Sequence, residues 1–275
     1  MFTVTQRIDN VTQPRGGYVK VGDFAKTEIN DGKELNPEEN ISPSRIGTLV
    51  DDLTRFMMGE KLSEAFHMSL IGYEGRIAYM GESQYHKDKK QGLDVVTLLS
   101  SVNGLDDESI IAACLASRYE IWARNPFYAI TSMDDDNKWP DKPTIENIRL
   151  MVERSCTFMK KNGGVTKTGF DFLEKDEEGN IIHNGYSEYV VQGDGDILTK
   201  DTMWEFKVTK SRPTSKHTLQ LLMYWIMGKH SGMDIYKHID KIGIYNPRLN
   251  VAYVLETSKI PDSVIKEVEE DVICY

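Results

Sequence analysis

The stretch GDGDILTKDTMWEFKVTK, residues 193–210, gathers four ionisable side chains in a pattern that could do chemistry. Asp194 and Asp196 are spaced i, i+2 before a polar turn; Glu205 and Lys207 have the same spacing after it. Strand alternation sends Trp204, Phe206 and Val208 to one face and Glu205 and Lys207 to the other. If the turn centres on Lys200-Asp201, paired residue numbers sum to 401, which sets Asp196 opposite Glu205 and Asp194 opposite Lys207. Side chains directly opposed on a sheet are about 5 Å apart at Cβ, and like charges there repel. Two carboxylates held that close share either a proton or a cation. Carboxylate oxygens, a backbone carbonyl such as that of Phe206, and water make up the ligand set that Mg²⁺ accepts. Lys207, on the same face, is suited to stabilising an anion bound at that ion. The plainer reading is a solvated hairpin face with cross-strand ion pairs, which leaves Asp196 facing Glu205 without a reason.

The elements that must position this hairpin can be read around it. Residues 1–42 are polar, with scattered Gly and Pro, and are expected to be irregular. Residues 43–140 read as a helical N-terminal portion. ISPSRIGTLVDDLTRFMMG carries Ile46, Leu49, Val50, Leu53, Phe56 and Met57 at helical spacing, with Ser42 or Ser44 as cap and Gly59 at its end. KLSEAFHMSLIG and DDESIIAACLASRYEIWARN read as two further helices. A helix over TIENIRLMVERSCTFMKKNGG, with Thr144 as cap, opens residues 141–275, expected to form the core. VTKTGFDFLEK, IIHNGYSEYVVQGDGDIL and TMWEFKVTK read as successive strands. TSKHTLQLLMYWIMG reads as a buried helix, KIGIYNPRLNVAYVLE as a hairpin turning at Asn246-Pro247, and a last helix starts near Pro261. Helices followed by β-β-β-α-β-β imply an α/β fold, a mixed sheet flanked by helices, packed as one compact unit.

Asp196 followed by Glu205-Phe206-Lys207 resembles the D…(D/E)xK signature of the PD-(D/E)XK nuclease superfamily. Gln220 and Tyr224, i and i+4 in QLLMY, look like the QxxxY element of its RecB-like branch, and ISPSRIGTL resembles the SxSR-type opening helix. The resemblance covers roughly residues 165–257, and it implies a restriction-endonuclease-like core and a metal-dependent nuclease, among them exonucleases. It implies hydrolysis of DNA phosphodiesters by a metal-activated water, with RNA left open. In that scheme Asp196, Glu205 and the Phe206 carbonyl hold Mg²⁺ or Mn²⁺. Lys207 orients the water or stabilises the phosphorane, and Gln220 and Tyr224 position these groups. The RecB-like branch also has an upstream acid or histidine. Glu120, on a small-residue face with Ala113, Ala116 and Ser117, is the first candidate, ahead of Glu64 and His67.

Composition constrains the reading further. The chain has 275 residues, ample for a real core, and no apolar run near the roughly 18 residues of a membrane span. The first residues lack the apolar core of a secretory signal. Cys114, Cys156 and Cys274 form no CxxC, which argues against an iron–sulfur cluster and a disulfide framework and fits a reducing cytoplasm. A net charge of −10 argues against a surface coated in phosphate contacts, so nucleic-acid binding must be local. Lys210, Arg212 and Lys216 beside the site are the candidates for holding a phosphate backbone. A different class of function remains: a catalytically silent module of the same fold that binds nucleic acid or protein. A protein partner or a homo-oligomer is left open.

Overall fold

Thr3 opens the first helix: its hydroxyl accepts from Gln6 N–H while the Gln6 side chain accepts from Thr3 N–H. The computed structural model describes residues 1–131 and 138–275. Strand β1 (Phe2–Thr3) leads into α1 (Val4–Asn10), and β2 (Ala25–Glu28) follows. Then come the helices α2 (Pro43–Met57), α3 (Leu62–Ala65), α4 (His67–Met80), α5 (Glu82–Lys90) and α6 (Val95–Ser100). These continue into α7 (Asp107–Ser117), α8 (Glu120–Arg124), α9 (Pro126–Thr131) and α10 (Lys142–Lys161). Beyond α10 lie β3 (Lys167–Phe170), β4 (Leu173–Lys175), β5 (Ile181–Asn184), β6 (Val190–Gln192), β7 (Gly195–Leu198) and β8 (Thr202–Phe206). The chain ends in α11 (Ser215–Ser231), β9 (Lys241–Asn246), β10 (Val251–Glu256) and α12 (Asp262–Glu267), with a wide helical turn over Val268–Ile273.

Two compact units result, residues 1–31 with 158–275 and residues 32–157, so the division falls inside α10. The expected arrangement was one compact unit, with residues 43–140 as a helical portion packed on a core of residues 141–275. The N-terminal segment is also not irregular throughout. Its α1 buries Val4 and Ile8 in the core around α11, and β2 pairs with β10. All four β2 side chains are exposed, so β2 carried no apolar alternation for a sequence reading to find.

The first unit is built on a mixed six-stranded sheet in the order β2-β10-β9-β8-β7-β3. Its pairs are antiparallel except β8 with β9, which run parallel and are joined through α11. A helix of this length is what a parallel crossover requires. Met203, Ile242 and Ile244 belong to the cluster formed with Leu219, Leu222 and Tyr224 of α11. Trp204 and Phe206, on the alternate positions of β8, pack instead near Phe158 and Tyr245. The hairpin at Asn246-Pro247 forms between β9 and β10.

The long strands read from sequence are subdivided. β4 and β5 pair off as a separate hairpin, and β6 pairs with β1. Gly185 shows why the chain breaks there: a Cβ on it would lie 2.1 Å from the Met227 carbonyl oxygen.

In the second unit α2 is capped by Ser42, whose Oγ accepts from Arg45 N–H, and it buries Ile46, Leu49, Val50 and Leu53. The helix expected over residues 106–125 is interrupted between Ser117 and Glu120. There the Tyr119 carbonyl lies against Gly72 of α4 so closely that a Cβ on Gly72 would sit 1.9 Å from it. Residues 61–72 likewise split into α3 and the start of α4. Helix α10 starts two residues before the expected cap: Thr144 lies inside it, and its N–H donates to Asp141. Among the described residues, no helix is long and apolar enough to cross a membrane.

Candidate active site

The β7–β8 register pairs Ile197 with Trp204 and Leu198 with Met203, the sum of 401 inferred from the turn. One step further that register sets Asp196 across from Glu205. Here a side chain takes over from the main chain: the Phe206 N–H donates to Asp196 Oδ2 at 2.6 Å. The glycines of the GDGD approach are required by packing. A Cβ on Gly195 would lie 2.1 Å from the Phe170 ring, and one on Gly193 would lie 2.6 Å from Val4 and 3.2 Å from the Tyr224 ring. Those three contacts bring β3, α1 and α11 close around the acidic strand.

Glu205 is only 3% exposed. Its Oε1 accepts from the Lys207 ammonium at 2.5 Å, a pair largely removed from water, while its Oε2 is buried with no hydrogen-bond partner. Burial first, and the Asp196 charge second, push the Glu205 carboxyl up to about 8 against the opposing pull of Lys207. A buried carboxylate with one satisfied oxygen and one orphaned oxygen is costly unless a proton or a cation completes it.

Helix α11 supplies the next layer. Gln220 Nε2 donates to Tyr224 Oη at 3.0 Å, so the hydroxyl proton of Tyr224 is free to be donated elsewhere. Burial raises the pKa of the Tyr224 hydroxyl well above its ordinary value, and the charges of Glu205, Asp194 and Asp196 add to this. The tyrosine therefore stays a neutral donor beside the carboxylates. Half-buried His217, one turn earlier, is pushed down to about 4 by burial and by the nearby Lys207 charge. It was not among the residues expected at the site, although its position three residues before Gln220 places both on one helix face.

Lys210 and Arg212 are exposed just past β8. Lys216 forms an exposed ion pair with Asp9 at 2.6 Å, a partner the sequence did not suggest. Glu120 belongs to the second unit, where it is buried and accepts from Arg124 at 3.1 Å and from Ser69 at 3.4 Å. Burial, then the Glu120 carboxylate, push Asp52 well above the usual carboxylate range, as expected of two acids sharing a proton. Beside Glu120, Gly72 of α4 makes a close approach to the Tyr119 carbonyl. Glu64 and His67 are exposed, with Glu64 paired to Lys61. Among the described residues, no group of three or more His, Cys, Asp or Glu is arranged to hold a metal ion. The structure thus brings Asp196, Glu205, Lys207, Gln220 and Tyr224 together and places Glu120 among other partners.

The second unit also encloses a cavity of about 710 Å³ with Arg45, Arg118 and Arg124 in its wall. These guanidinium groups are already engaged, Arg45 with Ser117 and the Cys114 carbonyl, Arg118 with the Tyr119 hydroxyl, Arg124 with Glu120. No family model matches the chain. No curated protein and no solved structure matches it either.

Proposed function

We propose that the protein is a metal-dependent nuclease of the PD-(D/E)XK type that hydrolyses phosphodiester bonds of DNA. The observation that carries this reading is the orphaned, buried Oε2 of Glu205 opposite Asp196. A divalent cation would supply the missing partner for that oxygen and remove the repulsion between the two acids. Asp196, Glu205 and the Phe206 carbonyl are the groups that would hold Mg²⁺ or Mn²⁺. Carboxylate and carbonyl oxygens are the donors that such hard ions prefer. When bound, the ion supplies Lewis acidity toward a water molecule and a phosphoryl oxygen.

The protein's own groups do the rest. Lys207, already 2.5 Å from Glu205, presents its ammonium where negative charge accumulates on phosphorus. Gln220 fixes Tyr224, whose hydroxyl donates toward the acidic cluster or toward a water between it and the substrate. Burial of Glu205 and Tyr224 keeps bulk water from screening these charges. Lys210 and Arg212 lie where an approaching phosphate backbone could meet them.

The test is digestion of single- and double-stranded DNA by purified protein in Mg²⁺, Mn²⁺, Ca²⁺ or EDTA, with D196A, E205A and K207A alongside. Cleavage should need Mg²⁺ or Mn²⁺ and vanish in all three variants, and K207A should still bind Mn²⁺ in calorimetry. Cleavage that persists in EDTA, or in D196A and E205A, overturns the reading.

A further inference from the structure

Resting on that nuclease reading, we infer that His217 binds the nucleic-acid strand beside Lys207, donating a neutral Nε2–H to a phosphate oxygen. His217, Gln220 and Tyr224 follow one another at intervals of three and four on α11, so they share a face. The Tyr224 end of that face meets the acidic strand, because its ring packs where a Cβ on Gly193 would be. At the His217 end, burial first and the Lys207 charge second keep the imidazole unprotonated.

The hydrogen bonds fix the tautomer. His217 Nδ1 accepts the Thr214 N–H at 3.2 Å, which closes the first turn of α11. A neutral imidazole whose Nδ1 accepts must carry its proton on Nε2. No hydrogen bond of that Nε2–H to another described residue accompanies the Nδ1 bond, and the residue is half-buried. Capping alone would be served by Glu or Gln at this third helical position, the usual occupants, and needs nothing from Nε2.

A neutral donor suits the place. A second full cation beside Lys207 would be repelled by it and would compete with a metal ion for Asp196 and Glu205. An uncharged N–H holds a phosphate oxygen without either cost. The ligand is therefore the sugar–phosphate backbone, and the contact secures the strand without taking part in bond breaking.

The experiment measures KM and kcat for Mn²⁺-dependent cleavage of an oligonucleotide by wild type, H217A and H217Q, with melting temperatures recorded for each. H217A should raise KM about tenfold or more, as loss of one hydrogen bond to a charged group does, and leave kcat within a few-fold. H217Q keeps an acceptor for Thr214 and an N–H donor, so it should recover most of the affinity. An unchanged KM in H217A leaves His217 with its cap alone and overturns the inference, as does a fall in kcat at constant KM. Cleavage that depends on Glu205 but is indifferent to H217A removes this inference only. No cleavage by the wild type, or undiminished cleavage by E205Q, removes the nuclease reading and this inference with it.

Discussion

Metal-free protein should lose stability as the pH rises from about 4.5 to about 8, and the E205Q variant should not. In the folded chain the Glu205 carboxyl is raised from 4.5 to about 8, by burial and then by Asp196. Between those values the folded state holds a proton that the unfolded chain has released, so raising the pH favours unfolding. The contribution is complete below 4.5 and is lost by the time the pH passes 8. At about 1.4 kcal/mol per pH unit, the shift amounts to at most about 5 kcal/mol. A domain is stable by only about 5–15 kcal/mol, so such a loss is readily measured. E205Q keeps the shape of the side chain and removes the titration. Urea denaturation in EDTA, repeated from pH 5 to 8.5, should give similar stabilities at pH 5 and an advantage of a few kcal/mol for E205Q by pH 8. Adding Mn²⁺ should restore wild type and leave E205Q unmoved, because an ion bound only by the folded site stabilises it by mass action. A difference between the two proteins that stays flat with pH, or that runs in favour of wild type, would refute the account of Glu205.

Three further outcomes follow from the same geometry. Gln220→Ala and Tyr224→Phe should slow cleavage about 10- to 100-fold while Mn²⁺ binding persists, the range typical of groups that orient a metal site from behind; normal rates per folded molecule would make α11 purely structural. Gly195→Ala should destabilise the protein by about 1–3 kcal/mol, because its Cβ would stand 2.1 Å from the Phe170 ring, and the added Phe170→Leu should recover part of the loss in thermal unfolding. Lys210→Ala and Arg212→Ala should each reduce the salt dependence of DNA binding by about one unit of log–log slope, whereas Lys216→Ala, already paired with Asp9, should change it less.

The hairpin register was legible because it depends on two local facts, the alternation of β8 and the polar turn at Lys200-Asp201, and 197 with 204 and 198 with 203 pair as those facts require. Helix α2 was legible for a similar reason: its apolar stripe and its cap at Ser42 are contiguous. The joints between elements were not. β2 has no buried face, so nothing in AKTE announces a strand; it is defined by pairing with β10, more than 200 residues later. The break before Glu120 depends on Gly72, whose missing side chain lets the Tyr119 carbonyl close on α4. The division of the chain within α10 falls inside an uninterrupted amphipathic pattern, where no Gly, Pro or polar linker marks it.

The site divides along the same line. The placement of Asp196 across from Glu205 was legible from spacing, because strand period and turn position alone decide which side chains oppose each other. What spacing could not give is the environment that makes the arrangement chemical. Glu205 is perturbed because it is buried beneath α11, and Asp196 is anchored because it takes the Phe206 N–H. His217 escaped because a lone histidine in an apolar helix has no ligand spacing to mark it. Its significance comes from a tautomer fixed by Thr214 and a neighbour, Lys207, ten residues away. Acid, lysine and neutral donors therefore form a graded set: two carboxylates that need a cation, one ammonium that offsets them, and two uncharged groups, Tyr224 and His217, that donate hydrogen bonds without adding charge. On the nuclease reading proposed above, a site tuned in this way would favour an anionic substrate brought in with a divalent cation over either one alone.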